Sequence, residues 1–229
     1  MSSIIFDQKR ATSHDKRFTK LAPMREALHL FTRMIFAALP TESRVLCIGA
    51  GIGPELFYLA EAFPEWKFTA VEPSSAMLTV CQERAKELGI TDRFTFHEGF
   101  LETLPDSDPY DAATCILVSQ FLLDPEKRIS LFHHISKRLI PGGILVSSDL
   151  ASDMSSLKYQ SLLEVWARTM EYCGVPKEDI DKLGRDVAVL PQDKIESLIE
   201  QGGFDKPTLF FQSLLIHAWF SRTITKNVS

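Results

Sequence analysis

The sequence predicts an α/β protein built on a parallel, doubly wound sheet, and three observations carry that expectation. From Arg44 to Leu150, short apolar runs alternate with segments of helical period. The first run, Val45 to Ile48, passes through the glycine-rich "GAGIG" into Pro54, the strand–loop–helix of a nucleotide-binding fold. After Leu150 the rhythm changes: a strand-free stretch and a helix lead to "PTLFFQSLLIHAWFSRT", which reads as two strands of an antiparallel hairpin.

Each element has local grounds. Met24, Ala27, Leu28, Phe31, Met34, Ile35, Ala38 and Leu39 recur at helical spacing, and Pro40 stops that helix. Arg44 to Ile48 is a short buried strand. Pro54 opens a helix to about Phe63; proline suits a first turn because the N–H it lacks would have no intrahelical partner there. "WKFTAVE" is the second strand, and "SSAMLTVCQERAKELG" is a helix with Met77, Cys81, Ala85 and Leu88 inward and Gly89 as its C-terminal cap. "DRFTFHEG" and "YDAATCILVS" are the third and fourth strands. Asp124 and Pro125 start a helix in which Ile129, Phe132, Ile135 and Leu139 share a face. Pro141 to Gly143 reads as a turn before the fifth strand, "ILVSSDL". Tyr159, Leu162, Leu163, Trp166 and Met170 then mark a helix face, Pro176 begins a second segment, and a further helix spans about Gln192 to Gln201. The expected organisation is one domain: an N-terminal helical arm (1–40), a nucleotide-binding core (41–150), a helical cap (151–190), and a C-terminal helix with its hairpin (191–229).

Bulk properties narrow the function. The 229 residues are 45% hydrophobic and 24% charged, which suits one well-filled domain and not a disordered chain. A formal net charge of −5 argues against a large nucleic-acid surface. No apolar run is long enough to cross a bilayer, and the N-terminus lacks the apolar core of a secretory signal. Cys47, Cys81, Cys115 and Cys173 form no CxxC pair and lie mostly in apolar runs. Buried reduced thiols, a cytoplasmic location and no metal site are therefore expected.

The glycine loop selects among nucleotides. Gly49 and Gly51 allow a tight turn and close approach of a ligand to the backbone. Glu72 ends the second strand, where a carboxylate can bridge two ribose hydroxyls. A pyrophosphate binder carries G-x-G-x-x-G, but Pro54 stands where the third glycine would be, and Gly49, Gly51 and Gly53 make G-x-G-x-G instead.

That spacing resembles motif I of the class I S-adenosylmethionine-dependent methyltransferases. Further segments resemble the same family in the same order: "VEPSSAML", "FHEGFLETLP", "YDAATCILVSQFL", "LIPGGILVSSD" and "IESLIEQGGF", covering roughly Arg44 to Arg222. The resemblance implies a Rossmann-like, seven-stranded, mostly parallel sheet with an antiparallel C-terminal hairpin, and S-adenosyl-L-methionine as cofactor. It implies cofactor contacts from Gly49, Ala50, Gly51 and Gly53, from Glu72, Pro73 and Met77, from Gly99, Phe100 and Leu101, and from Val118 and Ser119. Two positions depart from the family pattern. Cys47 replaces the usual acid two residues before the first glycine, and Phe100 replaces the Asp that accepts a hydrogen bond from the adenine amine.

Methyl transfer from a sulfonium is an in-line displacement, so alignment does most of the work. A base is needed only where the acceptor must lose a proton. No catalytic base is assigned. The candidates on the substrate side are Gln120 in the loop after the fourth strand, Asp149 beyond the fifth, Arg185 in the cap and His14 in the basic arm. The expected activity is methyl transfer to a small molecule, with no membrane partner. A second expectation comes from Gln120-Phe121, the cap and "FFQS", which resemble the carboxy-S-adenosylmethionine synthases of tRNA wobble-base modification. A cofactor-binding module without turnover is the third.

Overall fold

The computed structural model describes Thr19 to Ile224. Seven strands form one sheet: β1 (Arg44–Ile48), β2 (Lys67–Glu72), β3 (Phe94–Glu98), β4 (Tyr110–Ile116), β5 (Leu139–Leu150), β6 (Thr208–Ser213) and β7 (Ile216–Arg222). Their spatial order is β3-β2-β1-β4-β5-β7-β6. β1 to β5 run parallel, and β7 is antiparallel to both β5 and β6. The helices are α1 (Ala22–Phe36), α2 (Pro54–Ala62), α3 (Ser75–Glu87), α4 (Pro125–Arg138), α5 (Leu157–Tyr172), α6 (Lys177–Ile180) and α7 (Gln192–Gln201).

Period-two alternation sends β1 side chains to two separate cores. Val45 and Cys47 meet Phe36 of α1, Leu56 and Leu59 of α2, and Leu78 and Cys81 of α3. Leu46 and Ile48 face the other way, toward Leu131, Phe132 and Ile135 of α4 and Ile195, Leu198 and Ile199 of α7. The helix starts follow local chemistry. Ser74 Oγ accepts from the Met77 N–H at the start of α3, Asp124 caps α4 ahead of Pro125, and Ser156 caps α5.

One expected turn is not a turn between elements. β5 begins at Leu139 and runs through Pro141 to Gly143. Leu139 pairs with Tyr110 and Ile144 with Ala112, so the intervening residues bulge out of the ladder, with Gly142 at φ 77°. The end of β7 holds them there: the Thr223 N–H donates to the Gly143 carbonyl at 3.0 Å, and Arg222 Nη1 donates to the Gly142 carbonyl at 3.1 Å. Local glycine chemistry signalled the kink; a distant strand kept it inside the sheet.

The segment after β5 is helical. Tyr159, Trp166 and Met170 of α5 form a third apolar cluster with Leu150, Val189, Leu215 and Ile216. Leu21, Met24 and Leu117 pack against it, joining the start of α1 and the end of β4 to the cap. Lys20 Nζ donates to the Tyr172 carbonyl at 2.7 Å and lies 4.3 Å from the centre of that ring. Among the described residues no helix is long and apolar enough to cross a membrane.

Candidate active site

Strand order reverses between β1 and β4, so the loops after these strands part at the carboxyl edge of the sheet, where open α/β sheets bind ligands. The two loops also touch. A Cβ on Gly49, which has φ 65°, would lie 2.3 Å from Val118 Cγ2. Gly51, at φ 55°, differs: a Cβ there would meet no atom of the described residues within 4 Å. The loop is therefore closed against the protein at Gly49 and open at Gly51, which is a cradle for a ligand running along the backbone.

Glu72 sits beside that opening. Its Oε2 accepts from the Gly51 N–H at 2.9 Å and its Oε1 from the Ser74 N–H at 2.8 Å. Burial raises its pKa, and the two N–H donors pull the other way. Each oxygen keeps a second lone pair for a ligand hydroxyl. Pro73 is exposed; Met77 is buried with Ile52 in a small apolar cluster that Val80 joins. The Gly99 N–H donates to the Glu72 carbonyl at 3.1 Å, which ties β3's end to β2's. Beyond it Phe100 is 64% exposed, while Leu101 and Ala50 are buried.

The loop after β4 is strained and braced. Leu117 lies in the left-handed region at φ 56°, which costs a leucine about 1–3 kcal/mol. Its N–H donates to both the carbonyl and the hydroxyl oxygen of Ser148, at 3.0 and 3.1 Å. Beneath the next turn, Ser119 Oγ donates to Asp149 Oδ2, and Arg128 Nη1 approaches the same oxygen at 3.1 Å. Arg128 Nε donates to the Leu122 carbonyl at 2.7 Å. Both ions of this pair are buried. Burial pushes the Asp149 carboxyl up to about 6, against the pull of Arg128 and Ser119. Gln120 is buried too, in the middle of the short helical turn Ser119–Phe121, and its carbonyl accepts from the Ala188 N–H of the cap at 2.9 Å. Among the described residues, Gln120 Oε1 and Arg128 Nη2 are buried without a partner.

The expected cofactor residues therefore gather at the carboxyl ends of β1 to β4. The substrate-side candidates do not form one group. Asp149 lies within β5, engaged by Arg128 and Ser119, so it offers no free carboxylate at the ligand edge. Arg185 has an exposed side chain, and its Nε and Nη2 donate to Asp186 at 3.1 and 2.9 Å. It is engaged at the surface and is not a free cation facing the loops. His14 lies outside the described residues. Two residues escaped the sequence reading. Arg128, in the helical run "PEKRISLF", gains its meaning only from Asp149 across the fold. Glu55, in the first turn of α2, is 6% exposed, and burial raises its carboxyl to about 7. A charged residue between Pro54 and the apolar Leu56-Phe57 was the one available sign.

Comparison with known proteins agrees with this geometry. Residues 45–143 match a family described as a methyltransferase domain. The carboxy-S-adenosyl-L-methionine synthase of Campylobacter jejuni is 27% identical over 216 residues, covering 90% of this chain and 88% of that protein. Erythromycin 3''-O-methyltransferase of Saccharopolyspora erythraea is 27% identical over 115 residues, 50% of this chain and 37% of that enzyme. The solved structure of human N-acetylserotonin methyltransferase in complex with SAM superposes with a TM-score of 0.67 at 14% identity, covering 98% of this chain and 60% of that one. At such identity that likeness shows the shared fold.

Proposed function

We propose, for a chain that belongs to the class I S-adenosylmethionine-dependent methyltransferases, that the methyl of S-adenosyl-L-methionine passes to a small-molecule acceptor held between the β4 loop and the cap. The observation that carries this is the open side of Gly51 next to the Glu72 carboxylate, with the exposed Phe100 ring at the end of the neighbouring strand. A ribose can use the free lone pairs of Glu72, and a purine can stack on Phe100. The cofactor supplies an activated methyl on a sulfonium. The chain's own task is to orient and to exclude water. Glu72 fixes the glycine loop through the Gly51 N–H, Met77 and Ile52 give an apolar floor, and the Arg128–Asp149–Ser119 network sets the turn that faces the acceptor. Because Asp149 is engaged in that network, it holds the loop's shape and takes no proton from an acceptor. Buried free thiols at Cys47, Cys81, Cys115 and Cys173 support a cytoplasmic setting.

Calorimetry with S-adenosylhomocysteine and with NAD tests cofactor choice, and transfer of labelled methyl to a panel of hydroxylated and amino acceptors tests turnover. Binding of NAD with S-adenosylhomocysteine ignored would defeat the proposal.

One observation favours a second reading. The synthase relatives match along 88% of their length, far more than the O-methyltransferase relative does. A carboxylated cofactor brings an extra carboxylate that needs a cationic partner. Arg185 is occupied by Asp186, which favours the plain methyl donor. Mass spectrometry of ligand released from freshly purified protein separates the two. An added carboxylate on the cofactor, lost in Arg185→Ala, would reverse the preference.

A further inference from the structure

We infer that Glu55 is the counter-charge for the ammonium group of the cofactor's amino-acid moiety. This rests on the proposed cofactor. Glu55 occupies the second position of α2, directly after the glycine loop and Pro54. It is 6% exposed, and among the described residues no lysine, arginine or histidine forms an ion pair with it. The ionisable groups that act on its charge are the carboxylate of Glu72 from β2 and the thiols of Cys47 from β1 and Cys81 from α3; none is a cation.

A buried carboxylate in such company is costly. The N-terminus of α2 offsets part of that cost, since its dipole and Glu55's own N–H favour negative charge. Desolvation still dominates, and repulsion from Glu72 adds to it, so the carboxyl rises to about 7. A carboxylate buried two residues beyond Gly53, with no ion-pair partner among the described residues, is stabilised by a cation that arrives with the ligand. Position 47, at the end of β1 where an acid would serve that purpose, carries an uncharged thiol whose own pKa is raised by burial and by Glu55. The negative charge next to the glycine loop has thus moved from the strand to the first turn of the helix. Glu72 is not an equal candidate, because its oxygens hold loop N–H groups and their remaining lone pairs serve the ribose in the proposed function.

The test compares two nucleosides on the full chain. S-adenosylhomocysteine carries the ammonium and no sulfonium; 5′-methylthioadenosine carries neither. Glu55→Gln keeps shape and removes charge. Its affinity for S-adenosylhomocysteine is expected to fall about 10–100-fold, the range for hydrogen bonds to charged groups, with methylthioadenosine binding unchanged. In the wild type, S-adenosylhomocysteine binding should tighten as pH rises from 6 to 8, because Glu55 must be ionised to hold the ammonium; in the variant that rise should vanish. An equal loss for both nucleosides would mean a distorted loop and would overturn the inference. So would unchanged affinity for S-adenosylhomocysteine. If the wild type bound neither nucleoside, the cofactor proposal itself would fail and this inference with it.

Discussion

Glu72 has one visible duty and one proposed one. Its oxygens hold the Gly51 and Ser74 amides, and the proposed function also gives them the ribose hydroxyls. Glu72→Ala is expected to cost about 1.5–3 kcal/mol of S-adenosylhomocysteine affinity, as for hydrogen bonds to a charged group, measured by calorimetry. Phe100 carries no such structural duty, since its ring is 64% exposed. Phe100→Ala should therefore weaken nucleoside binding by about 1–3 kcal/mol with no loss of stability. An unchanged dissociation constant would show that the ring serves elsewhere. Asp149 is the opposite case. Removing its partner's charge leaves the Asp149 carboxylate alone in a site where both ions are buried. Arg128→Met should lower unfolding free energy by about 3–5 kcal/mol in urea titration at about pH 8, whether or not cofactor binding changes.

At the level of elements, the β4 loop and the cap are mechanically joined. Leu117 belongs to the apolar cluster of α5, and the Gln120 carbonyl is bonded to the Ala188 N–H. Lys20 ties the segment before α1 to the end of α5. A ligand that orders the β4 loop should then also steady residues 151–190, a closing motion that excludes water. Hydrogen exchange is expected to slow in both segments on adding S-adenosylhomocysteine. Equal exchange with and without ligand would argue that the cap is a fixed buttress. The strain at Leu117 fits a loop whose conformation is imposed by its surroundings and not by local preference.

For the whole molecule, buried titrating groups pull stability in opposite directions with pH. Glu55 is raised to about 7 and Asp149 to about 6, so the folded state binds their protons more tightly than the unfolded chain does. The stability they contribute is complete below the unfolded carboxyl values and is lost as pH rises through the folded ones. His29 runs the other way: burial lowers it to about 4, so stability from its neutral form grows as pH rises from about 4 to 6.5. Two carboxyls fall where one histidine rises, so the total profile should decline as pH rises from about 4 to 7. The Glu55 contribution emerges by difference. Glu55→Gln should gain roughly 3 kcal/mol relative to the wild type between pH 5 and pH 8, from a raised pKa that the amide does not share. Parallel urea-unfolding profiles for the two proteins across that range would refute the raised carboxyl.

What could be read in the sequence were the features with a short-range cause. Alternating apolar runs marked the strands, Pro54 and Asp124 marked helix starts, and the glycine spacing with Glu72 one strand later marked the loop proposed to hold the cofactor. Each depends on residues within a few positions of one another, where propensity and periodicity operate. Tertiary structure decided everything that needs two distant segments to meet. It kept Pro141 to Gly143 within β5 through the end of β7, turned Asp149 from a ligand-edge acid into the partner of Arg128, and left Arg185 at the surface with Asp186. It also buried Glu55 at the start of α2 with no ion-pair partner among the described residues. The physical reason is the same in each case: the charge state and duty of a polar side chain follow from its desolvation and its neighbours, and those are set by packing across the sheet.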